Sequence, residues 1–244
     1  MPSYALDELS WPEVGRILAH SPRLMLAVGA LEQSGPHLPL GANILIAERV
    51  VTAVSEDLGI LRAPTFSYGV TASGGPWAGM AGLRRKTLHR AVNELVARWE
   101  DSGVAEFIFV TAHRYEPHLE ALLMALSADS ITTVYDLYQI DVSDLVEENP
   151  ECEHAGELET SLVLHLAPER VRRDRVRDFL PDARLLRKYT RGRVPTPPEG
   201  SEGAVGRPTL ASAEKGAAVF QRYVGALSGA LARDAKGTTR GGRG

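Results

Sequence analysis

Residues 24–30 read LMLAVGA and residues 32–43 read EQSGPHLPLGAN. The first stretch is short and apolar and ends in small residues, the pattern of a buried strand. The second places Gly and Pro where no strand could continue, and it carries Glu32 and His37. From Ile44 to Leu58 the apolar residues Ile44, Ala47, Val50, Val51, Val54 and Leu58 follow the helical period, and Gly59 is a stop signal. The reading is strand, long polar loop, helix.

The same alternation continues along the chain. A second strand is expected over residues 61–68, and the Gly-rich loop GVTASGGPWAGMAG follows at 69–82. A helix is expected over 86–101, then the strand FIFVTAH at 107–113, whose last residues turn polar. Next come a helix at 116–126 with Pro117 in its tolerant first turn, a strand in TTVYDLYQI at 132–140, and an amphipathic helix at 156–166. A long last helix is expected over 211–231. This order predicts an α/β fold with a mostly parallel sheet covered by helices, its site at the carboxyl ends of the strands. One domain is expected over residues 1–233, with residues 234–244 as a flexible tail.

Composition narrows the function. The 244 residues are 44% hydrophobic and 24% charged, ordinary for a globular protein. Twenty-seven basic and thirty-one acidic side chains leave a formal charge of −4, so no global field attracts nucleic acid or an anionic membrane. The lone cysteine, Cys152, can form neither an internal disulfide nor a thiolate zinc site. The first residues lack the basic start and apolar run of a signal peptide, and no apolar run reaches the ~18 residues needed to cross a bilayer. A soluble, cytoplasmic protein is expected.

Three polar loops hold the ionisable candidates: Glu32 and His37 in the first, His113 in the second, and His154 and Glu159 in EHAGELET at 153–160. The expected topology brings them to one pocket. Ala155 and Gly156 leave room beside the His154 imidazole, and Glu159 stands in the first turns of a helix, an arrangement suited to orienting an acid or base. Trp77 reads either as a lid aromatic over a ligand or as a hydrophobic plug. His20, His89, His118 and His165 read as structural, and the Arg-dense segment at 169–193, with acids interleaved, as solvated or subunit-contact surface.

Residues 27–50, AVGALEQSGPHLPLGANILIAERV, resemble the opening motif of the creatininase-like amidohydrolases, approximately small-Gly-Ser-x-Glu-Gln-His-Gly-x-His-Leu-Pro-Leu-Gly-Thr-Asp. AGMAGLRRKTL at 78–88 is similar to that family's Pro-Gly-Thr-x-Ser-Leu segment, and VTAHRYEPHLEAL at 110–122 falls where an Asn-Gly-His motif precedes a helix. HAGELETSLVL at 154–164 resembles the His-Ala-Gly-x-x-Glu-Thr-Ser signature, and GAVGRPTLASAEKGAAVF at 203–220 the C-terminal element ending in Lys-Gly. The resemblance implies a creatininase-like three-layer α/β/α fold in homo-oligomers. It also implies two divalent metals that activate water against an amide or cyclic amide of a small molecule. By position, Glu32 corresponds to the first ligand, His113 to the motif histidine and Glu159 to a later glutamate.

Two ligand positions differ: the histidine after Glu-Gln is Ser34, and the bridging aspartate is Asn43. Two dications ~3.5 Å apart repel by roughly 19 kcal/mol even at an effective dielectric of ~20, and a bridging carboxylate normally helps to offset this. Asn43 offers a neutral carbonyl oxygen at most, and Ser34 is a weak ligand for zinc or manganese. The expectation is therefore one divalent metal (Zn, Mn or Fe) on Glu32, His113 and Glu159 with Asn43, or none, rather than a dinuclear centre. His154, Glu159, His113 and Glu32 are the expected catalytic groups, with Ser34, His37, Asn43, Trp77 and Tyr115 around the substrate. The expected activity is on a C–N bond, by hydrolysis or the reverse cyclisation. The alternatives are a metal-free cyclase, dehydratase or isomerase, and an inactive ligand-binding or partner subunit.

Overall fold

The computed structural model describes residues 3–72, 77–124, 130–148, 153–182, 184 and 197–238. Its strands are β1 (Arg23–Ala27), β2 (Leu61–Arg62), β3 (Glu106–Thr111) and β4 (Ile131–Asp136). Its helices are α1 (Trp11–Leu18), α2 (Ala42–Leu58), α3 (Arg85–Glu100), α4 (Glu116–Leu123), α5 (Glu157–Leu166) and α6 (Ala213–Thr238). The strands pair in parallel in the order β2-β1-β3-β4.

The period-2 alternation of each strand sends neighbouring residues to opposite faces and so divides the core in two. Leu24, Leu26, Phe107 and Phe109 pack with Leu88 and Val92 of α3 and Leu122 of α4. Met25, Ala27, Ile108 and Val110 pack on the other face with Ile46 and Val50 of α2, Leu162 of α5 and Tyr223 of α6. The result is the expected three-layer α/β/α fold. No helix of the described residues is long and apolar enough to cross a membrane.

Several boundaries differ from the sequence reading. The second strand keeps its ladder only over Leu61–Arg62: the Ala63 N–H still donates to Met25, but Phe66 rather than residue 65 donates next, to Ala27, so one extra residue breaks the register, and beyond it Phe66 and Tyr68 make isolated bridges to Val28 and Ala30. The strand expected from Thr132 stops at Asp136, whose carboxylate accepts the Tyr138 N–H at 3.0 Å and turns the chain into a 3-10 turn over Leu137–Gln139. Helix α1 was not anticipated, although Ser10 and Glu13 form a capping box at its start. Helix α6 runs past Leu231 to Thr238, and residues 239–244 lie outside the described residues.

Adjacent Lys215 and Gly216 join α6 to α5. The Lys215 ammonium bonds the buried Glu157 at the start of α5 and reaches Glu147 at 2.9 Å. A Cβ at Gly216 would lie 1.9 Å from the Ser161 carbonyl oxygen, so the two helix backbones touch where a side chain is absent.

The topology also fixes where the site lies. From β1 the chain crosses over α2 to β2, then returns over α3, on the opposite face, to β3 on the far side of β1. The connections thus diverge to opposite faces between β1 and β3, and a crevice opens beyond the carboxyl ends of those two strands.

Gly216→Ala should lower stability by about 2 kcal/mol despite the better helix propensity of Ala, because the α5–α6 contact must open. Urea denaturation measures this, and an unchanged midpoint would show that the contact is not tight.

Candidate active site

Glu32 enters the crevice from the loop after β1 and His113 from the end of β3. Glu32 Oε2 lies 3.1 Å from His113 Nδ1, and both side chains are buried. His113 Nε2 lies 2.8 Å from the Val70 carbonyl oxygen. A carbonyl can only accept, so Nε2 carries a proton and donates it. In neutral His113 the Nδ1 lone pair therefore points at a carboxylate oxygen. Burial pushes the Glu32 carboxyl up to about 7, Glu159 adding to the rise and His154 opposing it. Burial likewise pushes His113 below its ordinary value. Both groups are driven toward their uncharged forms, and an electropositive centre, either a proton or a cation, must sit between the two acceptors.

The third loop borders this pair. Glu159 accepts the Tyr138 hydroxyl at 2.6 Å and the Ala155 N–H at 2.7 Å, the latter at a residue held at φ +54°. The buried Glu153 carboxylate accepts the N–H groups of Leu158 and Glu159 and so caps α5. The His154 backbone pairs with Val205 in both directions, and its Nε2 meets the Gln33 backbone carbonyl at 2.9 Å and the Gln33 side-chain amide at 3.0 Å. Protonated, Nε2 donates to the carbonyl; unprotonated, it accepts from the amide. This imidazole thus has a partner in either tautomer.

The other expected residues divide. The Tyr115 ring lies 6.0 Å from that of His113 and forms a wall beside the pair. Ser34 is buried in the loop that carries Glu32. Trp77 is half-buried in a neighbouring cavity of about 710 Å³ that it shares with Val70, Thr71, Met80, Arg84 and Pro117. His37 turns inward: it is fully buried, with Nε2 2.9 Å from the Thr160 hydroxyl. Asn43 uses its Oδ1 to accept the N–H of buried Ala30 at 2.8 Å. Asn43 and Glu159, expected beside Glu32 and His113 as ligands, are thus engaged in holding backbone. Among the described residues no three His, Cys, Asp or Glu side chains are grouped to hold a metal ion. Glu32 and His113 offer two facing donors. Cys152 lies outside the described residues.

Some residues of the site were missed from sequence. Asp136 ends β4 and Tyr138 lies in the turn after it, and that polar turn after a strand is the signal that marked the other loops. Arg114, next to His113, lays its guanidinium 4.0 Å from the Tyr138 ring centre, and its charge opposes the burial that raises Asp136 and Glu153. Nothing in the spacing marked Gln33 as the partner of His154.

Two predictions follow from this packing. Burial lowers His37 from 6.5 to about 4, so as pH falls from 6.5 toward 4 the unfolded chain takes up a proton that the folded chain refuses. About 3 kcal/mol of stability, fully present above pH 6.5, should be lost across that window, and His37→Gln should flatten that part of the profile in urea titrations. Asn43→Ala should cost about 1–3 kcal/mol by stranding the Ala30 N–H, and Asn43→Asp, which keeps an acceptor, should cost less.

Comparison with known proteins agrees with this architecture. A family model described as creatinine amidohydrolase matches residues 7–231. The chain is 28% identical over 253 residues to the creatinine amidohydrolase of Pseudomonas putida, covering 94% of this chain and 96% of that one. It is 29% identical over 245 residues to a mycofactocin precursor peptide peptidase of Mycobacterium ulcerans (strain Agy99), covering 93% and 92%. A mutant creatininase of Zn-Zn type superposes with a TM-score of 0.80 at 25% identity, covering 96% of this chain and 99% of that one. With nearly the whole chain matched and the three layers shared, the protein belongs to the creatininase family.

Proposed function

We propose that the protein hydrolyses an amide or cyclic amide C–N bond, with one divalent cation held by Glu32 and His113 and with His154 moving protons. The observation that carries this is the buried pair of acceptors 3.1 Å apart, a nitrogen and an oxygen whose lone pairs face each other. Such an N/O edge suits two neighbouring ligands of a zinc or manganese ion with bonds of ~2.1 Å. The Val70 carbonyl that accepts His113 Nε2–H is the usual outer partner of a ligating histidine. The surrounding charge favours a cation too, since Glu32, Asp136, Glu153 and Glu159 gather around the crevice with Arg114 among them. When bound there, a divalent ion supplies Lewis-acid polarisation of the scissile carbonyl.

The chain's own groups supply the rest. His154, partnered in either tautomer, can take a proton from water and pass it to the leaving nitrogen without losing its orientation. Glu159 holds the Ala155 amide and the Tyr138 hydroxyl, and so fixes the turn from which His154 projects. Tyr115 walls the substrate on the His113 side. The two curated relatives are named for creatinine and for a precursor peptide, and an amide bond is what those substrates share.

The test is elemental analysis of protein incubated with zinc or manganese, followed by mass spectrometry of creatinine, other cyclic amides and short peptides for addition of water. About one ion per chain is expected. Glu32→Gln combined with His113→Ala should abolish both metal retention and turnover. His154→Ala should retain the ion and lose about 10²- to 10⁴-fold in kcat. Protein that retains no ion and cleaves none of these compounds would sink the reading.

A further inference from the structure

We propose that His118 is a positioning residue that holds His113 in the tautomer presenting Nδ1 to Glu32, an inference that rests on the reading of Glu32 and His113 as the reacting pair. His118 lies on α4, fully buried, and meets the His113 ring edge-on with 4.8 Å between centroids. The Val70 N–H donates to its Nδ1 at 3.2 Å, so Nδ1 bears a lone pair and the ring proton is on Nε2. Nε2 donates that proton to the Thr111 hydroxyl oxygen at 3.1 Å.

Both partners of His118 are also partners of His113. The Val70 carbonyl accepts His113 Nε2–H, and the Thr111 hydroxyl accepts the His113 backbone N–H at 3.2 Å. His118 therefore grips, through one ring, the residue that orients the His113 side chain and the hydroxyl that anchors its backbone. The grip requires close approach: a Cβ at Gly69 would stand 2.5 Å from the His118 ring, so the imidazole reaches Val70 only past a residue without a side chain. An outer partner of this kind typically changes metal affinity or activity by about 10- to 100-fold when removed. A histidine that merely filled the core would leave the tautomer of its neighbour alone.

The experiment uses the full chain labelled with 15N-histidine and stripped of metal by chelator, with the His113 signals assigned by their loss in His113→Gln. Two-bond 15N–1H correlation reads which ring nitrogen carries the proton. The wild type should show His113 protonated at Nε2. His118→Phe keeps a ring but loses both hydrogen bonds; it should show mixed tautomers, and kcat should fall about 10- to 100-fold with KM changed far less. His118→Asn returns an oxygen acceptor to the Val70 N–H and should recover most of the wild-type signal. A wild-type His113 protonated at Nδ1, or an unchanged tautomer in a folded His118→Phe protein, overturns the proposal. The wild-type spectrum decides even where a variant does not fold. Because the spectrum is read without metal or substrate, failure of the hydrolase reading remains distinguishable from failure of this one.

Discussion

A buried imidazole nitrogen and a buried carboxylate oxygen that face each other 3.1 Å apart, each offering a lone pair, cannot stay as they are in a dry interior. The Val70 carbonyl creates this constraint by claiming the Nε2 proton of His113, and burial sharpens it by driving Glu32 up to about 7 and His113 down. Either one shared proton or a cation relieves it. The sheet order makes the encounter possible, since β1 and β3 are neighbours whose following segments leave on opposite faces. Glu32 and His113 come from the loops at that divide.

The loops bearing these residues are long and polar, yet they are fixed by bonds to backbone rather than by packing. Glu32 N–H donates to the Leu40 carbonyl, Asn43 holds Ala30, the Gln33 amide donates to the Gly203 carbonyl, and His154 pairs with Val205. The first two ties close the loop after β1 on itself, and the last two link it and the third loop to residues 203–206, the C-terminal strip that carries one of the family-like motifs. Rigid support of this kind is what precise placement of a few reactive atoms requires.

The layered fold was legible because apolar period and Gly or Pro punctuation are local signals: LMLAVGA, FIFVTAH and the Ile44–Leu58 helix stand where they were read, within a few residues. The errors fall where a single residue decides, as with the extra residue that breaks the register of β2 after Ala63 and Asp136 capping a turn. Of the site, Glu32 and His113 were legible as polar residues beyond apolar strands. The inward turn of His37 depends on its fit against Thr160, and the role of His118 on a glycine 49 residues earlier; neither is written in spacing along the chain. His118 looked structural from its helical context, and its contacts with Val70 and Thr111 are what tie it to the site.

Asn43 shows how one neutral amide can hold the frame beside the site. Its amide oxygen accepts the Ala30 N–H without placing a negative charge there. That neutrality matters for the charge balance of the crevice. Among the described residues, Glu32, Asp136, Glu153 and Glu159 are carboxylates around it, and Arg114 is a cation whose field reaches Asp136 and Glu153. Burial already drives Glu32 and Glu153 toward their protonated forms, so one dication beside Arg114 would offset the charge that remains. A further carboxylate at position 43 would call for more positive charge, and a second dication would meet the repulsion that a bridging carboxylate is needed to offset. Neutral Asn43 thus fits the single ion proposed above: its amide holds Ala30 without adding a charge that one dication would leave uncompensated.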